Sequence, residues 1–174
     1  MPTAGDFLNH FLSNTGKDYL YDASTVIEGT NGGRNIFIKN MNEVMDLCES
    51  TVVDDLWFIT NPATSFPGTN FSTTGCMGET EIATDWWFSI GDADSSMSFH
   101  CYKKGNTYTA TITYNLLDYY DWQPNSPLRG GLVTDGEMYD LHRAGWAREF
   151  KSVGTYTKEI TWNKGDRLSE EFIL

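Results

Sequence analysis

Tyr108, Ala110, Ile112, Tyr114 and Leu116 alternate with Thr107, Thr109, Thr111 and Thr113. A two-residue period with this β-branched composition predicts a half-buried antiparallel strand. Near the end of the chain, Tyr156, Ile160 and Trp162 alternate with Thr155, Thr157 and Thr161 in the same way. Ile82, Thr84, Trp86, Phe88 and Ile90 share one side of a further predicted strand. Gly91-Asp92-Ala93-Asp94 then predicts a turn, 96–102 a returning strand and Lys103-Lys104-Gly105-Asn106 the next turn. Val52 to Ile59 supplies another strand, whereas 60–78, rich in Pro, Gly, Ser and Thr, predicts a long loop suited to a lid or a binding edge.

Helical spacing is confined to three places. Phe7, Leu8, Phe11 and Leu12 predict a short helix within 6–20, its end weakened by Gly16. Residues 21–39, with Gly29 and the Gly32-Gly33 pair ahead of Ile36-Phe37-Ile38, read as a turn-rich connection, and Met41, Val44, Met45 and Cys48 predict a helix over 41–50. The third helix spans 135–149, with Thr134 as N-cap and Glu137 completing a capping box. It sets Met138, His142, Trp146 and Phe150 in one row, and Gly145 marks a close contact or a bend. On that spacing Trp146 belongs to the packed row of the helix, and Trp146→Ala costs about 3–5 kcal/mol if its ring is fully buried. The expected fold is α+β: a curved antiparallel sheet or incomplete β-barrel with packed N-terminal and C-terminal helices. One domain is expected over 1–174, with a helical portion over 1–50, a mainly antiparallel sheet over 51–174, and the 108–116 strand beside the 135–149 helix.

Composition narrows the function. The 174 residues are 40% apolar, enough for a sizeable core. A net charge of −12 argues against nucleic-acid binding, and ten acidic residues without a Lys or Arg lie between Asn40 and Tyr102. Such a stretch repels phosphate unless a divalent metal intervenes, and reads first as a solvated face. No run suits a membrane span, and the start lacks the basic-then-apolar order of a signal peptide. Export by a specialised system, or as part of a larger protein, is the expected route, with cytoplasmic residence the alternative. Cys48, Cys76 and Cys101 allow one internal disulfide at most and form no zinc motif.

The chemistry-bearing residues gather late in the chain. If the 108–116 strand continues without a bulge, Asp118 and Tyr120 stay on its apolar side, while Tyr119 and Asp121 point the other way. A carboxylate there needs a hydrogen bond, a cation, a metal or solvent. Asp118 is thus either a strand-end anchor or a functional acid, and Asp121 either caps the turn at Trp122 or acts with it. His142 has three readings: satisfied core residue, acid/base, or neutral metal ligand. Arg143 suits a surface pair with Glu137 or Asp140, or a phosphate. Asp92-x-Asp94 lacks the further ligands of a calcium loop, and Gly29 to Arg34 has neither the phosphate-loop lysine nor the dinucleotide fingerprint, so no organic cofactor is expected.

The Asp118-Tyr119-Tyr120-Asp121 segment followed by His142-Arg143 resembles the catalytic pattern of colicin M-type bacteriocins, which places an Asp before a Tyr-Asp pair and then a His-Arg pair. The interval from Asp121 to His142 is longer here than in that family. The stretch from Asp118 to Gly154 also resembles the ends of bacterial polymorphic-toxin and secreted-effector proteins. The first resemblance implies hydrolysis of a lipid-linked peptidoglycan precursor in the target periplasm. Asp118, Asp121, His142 and Arg143 would be catalytic, and Tyr120 and Arg143 would bind substrate. Phosphate chemistry adds an expected Mg²⁺ at Asp118 and Asp121. A cognate immunity protein or a larger delivery protein would be the partner. Two other classes stay open: a secreted carbohydrate- or protein-binding module using Trp57, Trp86, Trp87 and Trp122, and an acidic immunity or adaptor protein.

Overall fold

A computed structural model describes residues 2–52, 57–59, 64–72, 89–90, 92–124 and 133–169. The predicted strand over 82–90 and the tryptophans Trp86 and Trp87 lie outside them, apart from Ser89 and Ile90. Helix α1 (Ala4–Leu12) begins at a capping box, in which Asp6 N donates to Thr3 Oγ1 and Thr3 N donates to Asp6 Oδ2 at 2.7 Å. It stops earlier than the 6–20 spacing predicts. Ser13 caps it, and Asn14 and Gly16 take the left-handed conformation that leads the chain into β1 (Tyr19–Asp22).

The stretch read as a turn-rich connection is helical. Helix α2 (Ser24–Gly29) runs directly into α3 (Asn31–Thr51), which absorbs the predicted 41–50 helix. The joint is Thr30, fully buried, whose hydroxyl donates to Val26 O and accepts from Gly33 N. The glycine signal therefore belongs to packing. A Cβ on Gly33 would come within 2.3 Å of Val26 O and 2.8 Å of Ile27 Cα, so only glycine lets α2 and α3 meet this closely.

The sheet follows from β4 (Asp92–Lys104), β5 (Thr107–Tyr120) and β6 (Phe150–Asn163). Gly105, at φ +61°, opens the two-residue turn between β4 and β5. Asp92 to Asp94, predicted as a turn, instead begin β4 and pair with β3 (Thr64–Ser72), itself a strand within the stretch read as a loop. β2 (Trp57–Ile59) pairs with the 100–102 end of β4 and β3 with its 92–97 end, so both lie along one edge. At the other edge β1 runs parallel to β6. The order β1-β6-β5-β4-β2, with β3 beside β4, makes an open, mixed sheet dominated by antiparallel pairs; among the described residues its edges do not close into a barrel. The α+β class holds.

Inner and outer faces separate by the predicted period. Tyr108, Ala110, Ile112, Tyr114 and Leu116 are all buried. Helix α3 covers them: Phe37 meets Tyr114 edge-on at 6.0 Å, and Asn40 Nδ2 donates to the Tyr114 hydroxyl at 3.0 Å. α1 covers the far end of the same face through Phe7, 4.7 Å from Tyr19 and 5.9 Å from Tyr120. On the outer face Thr109 pairs with Thr161 and Thr113 with Thr157 through their hydroxyls. No helix among the described residues is long and apolar enough to cross a membrane.

Helix α4 (Asp135–Arg143) keeps the predicted capping box, with Thr134 N donating to Glu137 Oε2 at 2.8 Å. It ends six residues short of the predicted boundary. Gly145 sits at φ +77°, Gly145 N donates to His142 O and Trp146 N to Leu141 O, the paired bonds of a Schellman stop. Trp146 and Phe150 therefore leave the helical row. Phe150 starts β6, and Trp146 is 75% exposed, which overturns its expected burial.

Candidate functional site

β5 and β6 stay in register without a bulge from Thr107↔Asn163 to Tyr120↔Phe150. Asp118 therefore sits directly opposite Ser152, on the inner face in one row with Tyr19, which β1 sets opposite Ser152 from the other side. Asp118 is half-buried, and Asp121, just past the end of β5, is exposed. The next inner row holds Tyr21, Gly154 and Leu116. Tyr21 lies over Gly154, where a Cβ would come within 2.5 Å of its ring. Glycine makes room there for a phenol beside Asp118. Burial first, and the Asp118 charge second, push the Tyr21 phenol well above its usual range.

The ring of Tyr120 packs at the end of the inner face. Its ring stacks on Phe150 at 4.9 Å and 20° and meets Trp122 edge-on at 5.6 Å. Trp122 also packs against Phe11, so it belongs to the core instead of a flat binding platform.

His142 lies in the last turn of α4, and both of its ring nitrogens face Glu149. Glu149 N donates to Nδ1 at 3.4 Å, and Glu149 Oε2 lies 3.7 Å from Nε2. A neutral imidazole held this way carries its proton on Nε2, since Nδ1 must accept. The other oxygen, Glu149 Oε1, accepts from Trp122 N at 3.3 Å. One carboxylate thus ties the His142 helix to the chain immediately after Asp121. Arg143 is exposed beside the Tyr139 ring, 5.9 Å from its centre.

The structure therefore brings His142, through Glu149, to the end of the strand that carries Asp118 and Tyr120 and is followed by Asp121. The spacing gave no place to Glu149, Ser152 or Tyr21. Glu149 was legible only by reading Gly145 as a helix stop, which turns 146–149 back along the helix end. Ser152 and Gly154 required extending the period of β6 upstream to Phe150. Among the described residues no group of three or more His, Cys, Asp or Glu is arranged to hold a metal ion. The carboxylates of Asp118 and Asp121 are hard oxygen donors of the kind Mg²⁺ takes, together with several waters.

No protein-family model matches the chain, and no curated protein matches it. Among the solved structures it is similar to are the bacteriocin syringacin M from Pseudomonas syringae pv. tomato DC3000 and a mutant of the same protein. Each is 14% identical with a TM-score of 0.45, over 92% of this chain and 52% of theirs, a distant structural relationship. The chain spans about half the length of these proteins.

Proposed function

We propose that the chain is an antibacterial hydrolase that cleaves a lipid-linked peptidoglycan precursor at a phosphate linkage. The observation that carries this reading is the Glu149 clamp, which holds a histidine-bearing helix end against the strand end that bears Asp118-Tyr119-Tyr120-Asp121. Asp118 and Asp121 offer carboxylate oxygens to a hydrated Mg²⁺; that ion, when bound, supplies the positive charge an acidic surface lacks toward phosphate. Asp121, exposed, orients the attacking water. His142 moves a proton, and Glu149, 3.7 Å from its Nε2, stabilises the imidazolium that forms. Arg143, exposed at the same helix end, neutralises phosphoryl oxygens. Tyr120 holds the strand end in place through its ring and positions the ligand through its hydroxyl. Action in a target periplasm, delivery by a larger protein or a specialised export system, and protection by an immunity protein complete the proposal.

Product analysis after incubating the purified chain with the lipid-linked precursor, with and without Mg²⁺, tests it. Release of a soluble pyrophosphoryl sugar is the expected result. Asp118→Ala, Asp121→Ala and His142→Ala should each lower the rate by about a hundredfold or more. Three folded variants that keep the wild-type rate would remove the assignment, and saturable association without turnover would identify a binding module.

A further inference from the structure

Ser152 is fully buried on the inner face of β6, and among the described residues its hydroxyl has no hydrogen-bond partner. A buried hydroxyl left unbonded is destabilising, and alanine would fill the same place without that loss. Packing therefore does not account for a serine here. Strand register decides what the hydroxyl can serve. Asp118 lies directly opposite on β5, and Tyr19 lies on the other side, on β1. Tyr19 turns its ring to Phe7 and Phe150, at 4.7 and 6.1 Å. Asp118 is half-buried, with a carboxylate to be oriented at the edge of the covered face. Residues opposite one another on antiparallel strands hold their Cβ atoms about 4.5–5.5 Å apart. A serine hydroxyl and an aspartate carboxylate at such a pair join by a rotamer change or across one water. One row along, a Cβ on Gly154 would lie 2.7 Å from the Tyr21 phenol oxygen, so that oxygen overhangs β6 beside Ser152. Hydroxyls from β1 and β6 and a carboxylate from β5 thus share one corner of the inner face.

We infer that Ser152 is the positioning residue for Asp118: its hydroxyl donates to the carboxylate, directly or across one water, and fixes the orientation in which Asp118 works. The inference rests on the reading of Asp118 as a working carboxylate and adds to it the group that holds it. A carboxylate has two oxygens to place. A donor on the covered side fixes one of them and leaves the other for the ligand, which is how a supporting shell turns a flexible acid into a preorganised one. The placement needs no bend in the backbone, because β5 and β6 stay in register through this pair. A bridging water would find the partners it requires in the Ser152 hydroxyl, the Asp118 carboxylate and the Tyr21 phenol.

A crystal structure of the full chain, at a resolution that shows water, is the first test and needs no turnover. Ser152 Oγ should lie about 2.5–3.0 Å from an Asp118 oxygen, or the two should bond one ordered water. A Ser152 hydroxyl bonded only to backbone carbonyls would overturn the inference. Kinetics on the lipid-linked precursor are the second test. Ser152→Ala should lower kcat about tenfold and leave KM within about twofold. In the Asp118→Ala background the same substitution should add no further loss, since no carboxylate is left to hold. A merely structural serine would lower the rate alike in both backgrounds, and that result would also overturn the inference. Should the wild type turn over no precursor, the hydrolase reading falls, and the crystallographic geometry alone decides whether Ser152 holds Asp118. The same geometry decides if Ser152→Ala fails to fold.

Discussion

Two glutamates hold the two ends of β6, and they differ in what they hold. Glu49 reaches from α3 to the C-terminal end, where Trp162 Nε1, Gly165 N and Arg167 Nη1 all donate to its Oε1 at 2.9–3.1 Å. Its partner cation is a guanidinium, which keeps its charge at every pH of interest. Glu149, next to Phe150 at the N-terminal end, accepts one backbone N–H at 3.3 Å and faces an imidazole at 3.7 Å. Those contacts are fewer and longer than the ones Glu49 makes. The same carboxylate device therefore makes a fixed joint at one end of the strand and an adjustable one at the other. The adjustable end carries the candidate chemistry, as expected where a site needs groups that exchange partners.

Removing the fixed joint should have the largest effect on stability. Glu49→Ala strips one oxygen of three donors, one of them the part-buried Trp162 indole, and should cost about 2–3 kcal/mol in urea unfolding. Glu149→Ala should cost less, about 1 kcal/mol, because its contacts are fewer and longer. Equal losses would erase the contrast between the two ends.

Acid should reveal the same contrast. Burial works against the Glu49 charge, yet the hydrogen bonds from Gly165, Arg167 and Trp162 and the Arg167 charge hold its carboxyl below the usual range. A carboxyl depressed on folding adds stability that is complete above the ordinary glutamate value, 4.5, and is lost as pH falls through the lower folded value. Urea midpoints taken from neutral to acid pH should therefore drop below pH 4.5 in the wild type and drop less steeply in Glu49→Gln. Parallel curves would show that Glu49 is not held as the geometry implies.

What the sequence made legible divides along the line between local and tertiary causes. The β5 period, both faces of its inner and outer rows, and the Thr134–Glu137 capping box depend on neighbours a few residues apart, and all are present as expected. The α2–α3 joint was not legible, because Gly33 is required by its distance from Val26 and Ile27, a contact created only by folding. β3 looked like a loop because its pairing with β4 supplies what its own composition lacks. At the site, placing Asp118 inward followed from strand register alone. Glu149 did not, since a helix running to 149 would set it two turns, about 10.5 Å, along the axis from His142.

The Schellman stop that turns Glu149 back is itself testable. Gly145 has φ +77° and open space around a Cβ, so Gly145→Ala meets no neighbour and bears only the backbone cost of the left-handed conformation. That cost is about 1–2 kcal/mol. A neutral result in urea unfolding would mean the helix end tolerates a different stop, and the placement of Glu149 against His142 would lose its cause.

The smallest effect is expected at the residue where helical spacing misled most. Trp146 follows the stop and is 75% exposed, with its backbone N–H bonded to Leu141 O and its ring outside the core. Truncation to alanine keeps that backbone bond and uncovers little apolar surface, so Trp146→Ala should change stability by no more than about 0.5 kcal/mol. The several kcal/mol expected of a buried tryptophan in a helical row would require α4 to continue through Gly145. Continuation would set Glu149 on the same face as His142 but two turns, about 10.5 Å, along the axis and out of its reach. A near-neutral urea midpoint for Trp146→Ala, beside a clear loss for Gly145→Ala, therefore separates the two backbone paths, and only the path that stops at Gly145 joins the His142 helix to the strand end of Asp118 and Asp121.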